Sequence, residues 1–266
     1  MKMMAMKFLT YASIMMLLSI LSGCATSQSK KKKENEATAH YKLGIAQLSE
    51  NHVQEAYVEF QKAVEIDPKN PDMHYALGHV YYQRGNNPEA VREFKIVLRL
   101  DPEYSAAHNS LGQVYGSEKR WDEAIQEFKN ALKNTKYDTP HLAYYNLGLV
   151  YESKGQYAEA IKEFQNALRI DPNFVKPTEG PSAFIVYYEI GQTYAKMEKY
   201  TEAIAAYQDA LKLFPDYSEA HFGLGLVYCK IGSKQSAKEE FEKVLKLSPA
   251  GTILPENARE CLEPMK

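Results

Sequence analysis

Residues 143–172 read AYYNLGLVYESKGQYAEAIKEFQNALRIDP, and this stretch decides the fold. Within it, Gly148 follows a leucine, Ala160 stands twelve residues after the glycine, and Phe164 comes four residues later. Small side chains at Gly148 and Ala160 let two backbones approach closely, which predicts a pair of helices that cross at these positions. Pro172 ends the unit, because proline lacks an N–H and clashes with the preceding helical turn.

The glycine, alanine and aromatic residue recur six times along the chain at these intervals, and five of the six units end in proline. The first three glycines are 34 residues apart, and so are the last two. We expect the aromatic residue to fill the space between one unit and the next. A single unit cannot bury its own apolar face, so stacking must supply the core. The glycines are Gly44, Gly78, Gly112, Gly148, Gly191 and Gly225, the alanines Ala56, Ala90, Ala124, Ala160, Ala203 and Ala237, and the aromatic residues Phe60, Phe94, Phe128, Phe164, Tyr207 and Phe241.

These six matches resemble the tetratricopeptide repeat family, whose unit is a 34-residue helix–turn–helix. The resemblance implies an all-α protein, a right-handed superhelical solenoid of six tetratricopeptide repeats with a C-terminal capping helix. The repeats are predicted over residues 37–250 and the cap over residues 251–266. The predicted units span about 37–70, 71–104, 105–140, 141–183, 184–217 and 218–250.

The N-terminus has the layout of a secretory signal peptide. Lys2 and Lys7 give the first residues a positive charge, and an apolar run over residues 8–21 follows them. The run is shorter than the roughly 20 apolar residues that a membrane-crossing helix needs. It ends in Leu-Ser-Gly-Cys at residues 21–24, which resembles the bacterial lipobox. We therefore predict a lipoprotein signal peptide over residues 1–23; the alternative is a plain signal peptide followed by a coincidental cysteine.

The lipobox resemblance implies that Cys24 carries acyl chains such as palmitate. Residue 25 is Ala25 rather than aspartate, so we expect an exported protein anchored at the periplasmic face of the outer membrane if the source is Gram-negative. Residues 24–36 are predicted to be a flexible tether, because residues 26–36 have no apolar side chain that could pack in a core. Its four consecutive lysines, Lys30–Lys33, either approach anionic lipid headgroups or only keep the linker soluble.

Two interruptions break the repeat period. Extra residues fall within 134–140 and around 175–183, and the second insertion contains two prolines and a glycine, which predicts a loop. This loop is either a mere insertion or a contact element on one face. Cys229 and Cys261 remain in the exported chain, where they form either a disulfide or two buried thiols.

Neither composition nor motifs indicate catalysis. The formal net charge of −2 gives no sign of nucleic-acid binding. The chain has no His-Glu-x-x-His pair, no phosphate-binding glycine loop and no Gly-x-Ser-x-Gly elbow. The histidines at the fourth position of a repeat recur one unit apart, which indicates packing rather than a metal site; they are His40, His74, His108 and His221. We predict no enzyme, no metal, no cofactor and no small-molecule substrate.

Family members usually bind ligands on the concave surface lined by the first helix of each repeat, helix A. Transferring those positions to this chain gives a groove rich in tyrosine, which offers a large, stiff contact area with a polar tip. The first of these positions lacks the lysine of the family members that clamp a C-terminal carboxylate. Some of these tyrosines have the alternative role of packing between helices. The predicted groove residues are Tyr41, Tyr75, His79, Tyr82, Asn109, Gln113, Tyr145, Tyr188, Gln192 and Phe222.

An exported, lipid-anchored array of this length resembles the type IV pilus biogenesis and stability lipoproteins, the pilotins. The segment at 137–148, Tyr-Asp-Thr-Pro-His-Leu-Ala-Tyr-Tyr-Asn-Leu-Gly, carries the sharpest part of the resemblance. The resemblance implies a protein partner in the groove, the outer-membrane secretin or another pilus component. The alternatives are an adaptor for cell-wall hydrolases or proteases and an accessory factor in outer-membrane protein insertion.

Overall fold

The computed structural model describes residues 28–172, 182–248 and 253–263, and every element within them is a helix or a connection between helices. The signal peptide, Cys24 and most of the 175–183 insertion lie outside these described residues. None of the described helices has the length and apolar character needed to span a membrane. The helices are α1 (28–49), α2 (Val53–Ile66), α3 (Pro71–Gln83), α4 (Asn87–Leu100), α5 (Ser105–Ser117), α6 (Trp121–Ala131), α7 (Pro140–Ser153), α8 (Tyr157–Ile170), α9 (Ala183–Lys196), α10 (Tyr200–Leu213), α11 (Ser218–Lys230), α12 (Lys234–Leu247) and α13 (Ile253–Leu262).

The first twelve helices form six pairs, α1 with α2 through α11 with α12, which confirms the all-α repeat fold. Within each pair a three-residue turn joins helix A to the second helix, helix B, and the middle residue of every turn has a positive φ. Such a conformation closes a helix end and suits glycine best. The six residues are Asn51, Gly85, Lys119, Gly155, Glu198 and Gly232.

Each pair crosses at the predicted glycine, and the ring opposite it belongs to the same repeat. A methyl group added to any of the six glycines would lie 2.5–2.7 Å from the nearest atom of its own repeat's aromatic ring. Each ring lies over its own helix A, because the missing Cβ leaves room for it there. The Tyr207 ring also reaches the next repeat, where a Cβ on Gly223 would lie 2.7 Å from it, so at that repeat the expectation that the ring fills the space between units is confirmed. The six alanines twelve residues after the glycines are fully buried beside these rings.

The repeated histidines pair with glutamates nineteen residues further along the chain. In each case Nδ1 of a helix A histidine lies 2.5–2.6 Å from a carboxylate oxygen of the following helix B. His74 and His221 also contact, through Nε2, the carbonyl oxygens of Pro68 and Pro215 in the connection before their own repeat. The four pairs are His40–Glu59, His74–Glu93, His108–Glu127 and His221–Glu240.

The predicted flexible tether is partly helical. Helix α1 already includes residues 28–36, all of them exposed. The prediction failed here because this segment lacks glycine and proline, so that it extends the helix that Ala37 anchors in the core. Lys30 and Glu34, four residues apart, form an exposed ion pair of 3.7 Å that favours the extension slightly.

At the C-terminal end, α13 covers α11 and α12 as the predicted capping helix. Ala258 is fully buried in a cluster around Phe241, and Leu254 packs against that cluster. Cys229 and Cys261 contact the same cluster as two half-buried free thiols. Burial, followed by the nearby Cys261, raises the pKa of the Cys229 thiol.

The chain divides into two compact units, the first ending at Ala107 and the second beginning at His108. The first unit contains α1 to α4 and the start of α5. The second contains the rest of α5 and every helix after it, down to α13. The groove positions are accordingly described separately for each unit.

Candidate functional site

The ten predicted groove residues all lie on helix A of their repeats. Nine are partly exposed, and Asn109 is buried. Four belong to the first unit, namely Tyr41, Tyr75, His79 and Tyr82. Six belong to the second unit, namely Asn109, Gln113, Tyr145, Tyr188, Gln192 and Phe222.

The aromatic residues at the fifth position of the repeats have a packing role on one side. Each ring lies 5.7–5.9 Å, centroid to centroid, from the buried aromatic of its own repeat and is tilted against it. The glycine and the fifth-position ring lie one turn apart on helix A, and both pack against the buried ring of helix B. The fifth-position ring remains partly exposed for contact with a ligand. The five fifth-position rings are Tyr41, Tyr75, Tyr145, Tyr188 and Phe222.

In the first unit, the exposed side of Tyr75 is surrounded by other rings. Its centroid lies 4.6 Å from that of His79, edge to face, and 5.2 Å from that of Tyr104. The Tyr104 hydroxyl donates to the Asp72 carboxylate over 2.8 Å. Burial lowers the pKa of His79 to about 4, so this imidazole is neutral at pH 7. The face is therefore aromatic, and its nearest acid is already hydrogen bonded.

In the second unit, Asn109 does not serve as an exposed groove residue. Its Oδ1 accepts a hydrogen bond of 3.1 Å from Nδ2 of Asn146 on α7. A buried amide needs such a partner. Asn109 thus joins α5 to α7 in the second unit, while Gln113, one turn further along α5, stays partly exposed.

Further along the second unit, two carboxylates approach the tyrosines. The Glu152 carboxylate accepts hydrogen bonds from Thr193 Oγ1 over 2.9 Å and from Lys196 Nζ over 3.0 Å. Glu189 lies one turn before Thr193 on α9 and is half-buried. Burial, and then the negative charge of Glu152, raises the pKa of Glu189 to about 7, although Lys196 opposes the shift.

Tyr188 lies at the centre of this part of the surface. Its ring is 5.2 Å from that of Tyr217, edge to face, and its hydroxyl hydrogen bonds to Gln192. Tyr217 also meets Phe184 at 4.9 Å, edge to face. Three helices of the second unit, α7, α9 and α11, therefore contribute to one aromatic and acidic surface.

Several residues of these surfaces are not among the groove residues predicted from the sequence. Tyr104 and Tyr217 stand just before helix A, outside the family's groove positions, yet each contacts the fifth-position tyrosine of the preceding repeat. A signal was present, because both occur in the pattern Pro-x-Tyr-Ser at 102–105 and 215–218. Glu152 and Glu189 had no such signal, since their proximity depends on how α7 and α9 pack.

The described residues show no arrangement suited to metal binding. No group of three or more histidine, cysteine, aspartate or glutamate side chains converges within residues 28–172, 182–248 and 253–263. What the site offers instead is half-exposed aromatic area, amides that both donate and accept hydrogen bonds, and carboxylates. These groups can bind a polypeptide segment.

Comparison with known families agrees with the repeats. Models of the tetratricopeptide repeat match residues 48–85, 75–139, 138–216 and 188–252, which together cover most of the chain. No curated protein matches the chain.

Solved structures with the same fold include proteins of closely similar length. PilF of Pseudomonas aeruginosa is 24% identical, with a TM-score of 0.71, and the match covers 85% of this chain and 98% of that one. PilW, described as a widely conserved type IV pilus biogenesis factor, is 18% identical, with a TM-score of 0.73 and coverage of 84% and 98%. YrrB, described as having an unusual peptide-binding site, is 20% identical, with a TM-score of 0.58 and coverage of 76% and 97%.

Proposed function

The chain belongs to the tetratricopeptide repeat family, and on that premise we propose that it is a lipid-anchored scaffold that assists type IV pilus assembly. In this proposal it binds the outer-membrane secretin on its helix A surfaces and localises or stabilises that protein. The repeats are a protein-interaction scaffold of a kind that is typically non-catalytic. The pilus, the secretin and the lipid anchor are the parts that remain to be tested.

One observation carries the proposal: the likeness to PilW extends over 98% of that protein's length. YrrB is matched over 97% of its own length, but PilW accounts for more of this chain, 84% against 76%, and at a higher TM-score, 0.73 against 0.58. The match to PilF is equally complete. The lipobox-like residues 21–24 add support, because a secretin partner requires an exported protein held near the outer membrane.

The proposed mechanism uses the anchor and the groove together. Acyl chains on Cys24 hold the protein at the membrane, and a secretin subunit bound to the repeats is then confined to the same surface. Confinement raises the effective concentration of subunits and favours their assembly without any new contact. The half-exposed tyrosines supply the contact area, since aromatic side chains dominate many binding interfaces.

A second candidate is an adaptor that docks cell-wall hydrolases or proteases. The fold of YrrB supports this second candidate. The description of YrrB names a peptide-binding site and no pilus, so the same repeats can serve a partner other than a pilus protein. Export, anchor and groove would be unchanged, and only the partner would differ.

The deciding experiment is a pull-down of the C-terminally tagged protein from detergent-solubilised native membranes, read by mass spectrometry. We expect a secretin or other pilus proteins to be enriched, and the double substitution Tyr75→Ala with Tyr145→Ala to weaken that enrichment while the helical circular dichroism signal is retained. Enrichment of hydrolases or proteases without any pilus protein would instead select the adaptor. Unchanged capture by the double variant would remove the tyrosine surfaces from the proposal.

A further inference from the structure

The second unit carries four aromatic rings that contact one another, edge to face or tilted, on α9 and in the connection between α10 and α11. Tyr217 lies 4.9 Å from Phe184 and 5.2 Å from Tyr188, in both cases edge to face. Phe214 adds a ring 4.9 Å from Phe184. We call Phe184, Tyr188, Phe214 and Tyr217 the aromatic wall.

One ring of the aromatic wall, Phe214, is more exposed than the fold requires. Phe214 follows the last residue of α10 and is 43% exposed. The corresponding residue after helix B is an aspartate in three other repeats, namely Asp67, Asp101 and Asp171. A solvated position that accepts aspartate elsewhere has no need of an aromatic ring for packing. Phe214 therefore adds exposed apolar surface next to three rings that are partly buried against the core.

Beside the aromatic wall, Glu189 is a carboxylate without a bonding partner. It adjoins Tyr188 on α9, and its backbone oxygen accepts a hydrogen bond from Thr193 Oγ1 over 2.8 Å. Within residues 28–172, 182–248 and 253–263 its carboxylate accepts no hydrogen bond and forms no ion pair. Lys196, whose charge acts on Glu189, is bound to Glu152 over 3.0 Å. Burial and then the charge of Glu152 disfavour ionisation of Glu189 and raise its pKa to about 7. A half-buried acid in this position is stabilised by any cation that arrives.

A further negative charge faces the same rings. Glu219, an exposed residue in the first turn of α11, raises the pKa of Tyr217 together with Glu189, after burial. Glu189 and Glu219 also act, after burial, on Tyr188, whose pKa rises to about 12. The surface thus combines aromatic faces, which attract cations, with two carboxylates that form no ion pair with a lysine or arginine of the described residues. The charge of Lys196 opposes the pKa shift of Glu189 but does not cancel it.

We propose that Glu189 and the aromatic wall form a subsite for the lysine or arginine side chain of a peptide segment bound by the second unit. Charge complementarity selects a basic side chain, the tyrosine faces hold its cation, and Glu189 accepts its hydrogen bond. This inference rests on the proposed function, because it assumes that helix A surfaces bind a partner polypeptide. It adds the chemical class of the side chain that the partner must present.

The first unit offers an internal contrast. There the equivalent pair of rings, Tyr75 and Tyr104, is present, but the Tyr104 hydroxyl donates to Asp72 over 2.8 Å. The acid at that site already has a partner, and the neighbouring His79 is neutral. Selection of a basic side chain is therefore specific to the second unit.

The test compares two pools of synthetic nonapeptides that are random except for a central arginine or a central norleucine. The full-length protein, solubilised in detergent and immobilised through a C-terminal tag, is exposed to both pools, and the retained peptide is quantified. We expect about tenfold more retention of the arginine pool, which is the ratio that one charge-assisted hydrogen bond provides. Glu189→Gln should bring the ratio of arginine-pool to norleucine-pool retention close to one and leave retention of the norleucine pool unchanged.

The matched control is Glu242→Gln, which removes the same charge from an exposed residue of α12 and should keep the tenfold ratio. Tyr217→Leu keeps an apolar side chain but removes the aromatic face, and should lower the ratio severalfold. Equal retention of both pools by the unmodified protein would overturn the subsite while leaving the groove in place. Retention of neither pool would also overturn it, and capture of pilus proteins from membranes tests the proposed function independently.

Discussion

At the scale of single residues, His74 and His221 each have an acceptor at both ring nitrogens. Nε2 of His74 lies 3.1 Å from the Pro68 carbonyl oxygen, which cannot donate, and Nδ1 lies 2.6 Å from the Glu93 carboxylate. A protonated imidazole can satisfy both acceptors, because only that form donates from both nitrogens. Burial opposes the charge on His74, but the bonds to Glu93 and Pro68 outweigh it and raise the pKa of His74.

This arrangement predicts a stability that depends on pH. Since the pKa of His74 is higher in the folded than in the unfolded protein, its contribution is complete below the ordinary value of 6.5. That contribution is lost as the pH rises through the folded pKa. We expect His74→Gln to lower the free energy of unfolding by about 3 kcal/mol at pH 6, as for a broken buried pair, and by less at pH 9. Thermal melts across this range provide the measurement.

His52 provides the matched control, because it also lies close to a glutamate but at the surface. His52 and Glu50 are 3.4 Å apart, with side chains 55% and 62% exposed. His52→Gln should change the free energy of unfolding by less than about 1 kcal/mol at either pH. A difference between unmodified protein and His74→Gln that stays constant with pH would show that the buried pair is not an ion pair.

At the scale of helices, the crossing of each pair depends on a missing side chain. Gly148 lies on α7 where a Cβ would stand 2.5 Å from the ring of Phe164, a fully buried residue of α8. The same ring also contacts Tyr145, one turn before Gly148 on α7, at a centroid distance of 5.8 Å, so that a shift of the ring disturbs Tyr145. Packing of the helix pair and presentation of a groove tyrosine are therefore coupled through one ring.

We expect Gly148→Ala to destabilise the protein by about 1–3 kcal/mol, because the added methyl group overpacks the crossing. Gly116→Ala is the control. It also lies in a helix, but its Cβ would meet only Val150 Cγ2 at 3.6 Å, which is ordinary contact. This substitution should be neutral or stabilising by up to about 1 kcal/mol, since alanine favours helix. Urea unfolding of both variants tests the contrast, and equal effects would refute it.

The helix pairs could be predicted from sequence because their spacing is set locally. A glycine, an alanine and an aromatic residue at fixed intervals specify one crossing, and six copies leave little ambiguity. The glutamate partners of the histidines were missed, although their constant separation of nineteen residues was a readable signal. The acidic surface could not be predicted, because Glu152 and Thr193 lie 41 residues apart and meet only through the packing of successive repeats.

At the scale of the whole molecule, the first and the last repeat differ in how their apolar surface is covered. Leu43 in the first repeat is 46% exposed, whereas the residues at the same position in the other five repeats are at most 5% exposed. The next exposed position, a tyrosine in the other repeats, is Gln47 here. At the far end, α13 covers the last pair with Leu254 and Ala258.

Removal of α13 should therefore expose apolar surface that no polar substitution protects. We expect a chain that ends at residue 250 to lose on the order of 3 kcal/mol of stability, the contribution of one or two buried apolar side chains, and to bind a hydrophobic dye. A chain lacking only residues 264–266 keeps α13 and serves as the control. An unchanged melting temperature for the shorter chain would mean that α13 does not contribute to the core.

The three-residue turns have a consequence for how such a chain can change by descent. Every turn from helix A to helix B has three residues, and its middle residue has a positive φ. An insertion in such a turn would shift helix B relative to helix A and so break the crossing. The connections from helix B to the next helix A range from the short link between α2 and α3 to the long ones before α7 and α9. Duplication, loss or recombination of genetic material is thus tolerated at the borders of repeats, and a lineage can lengthen or shorten the array without redesigning any unit.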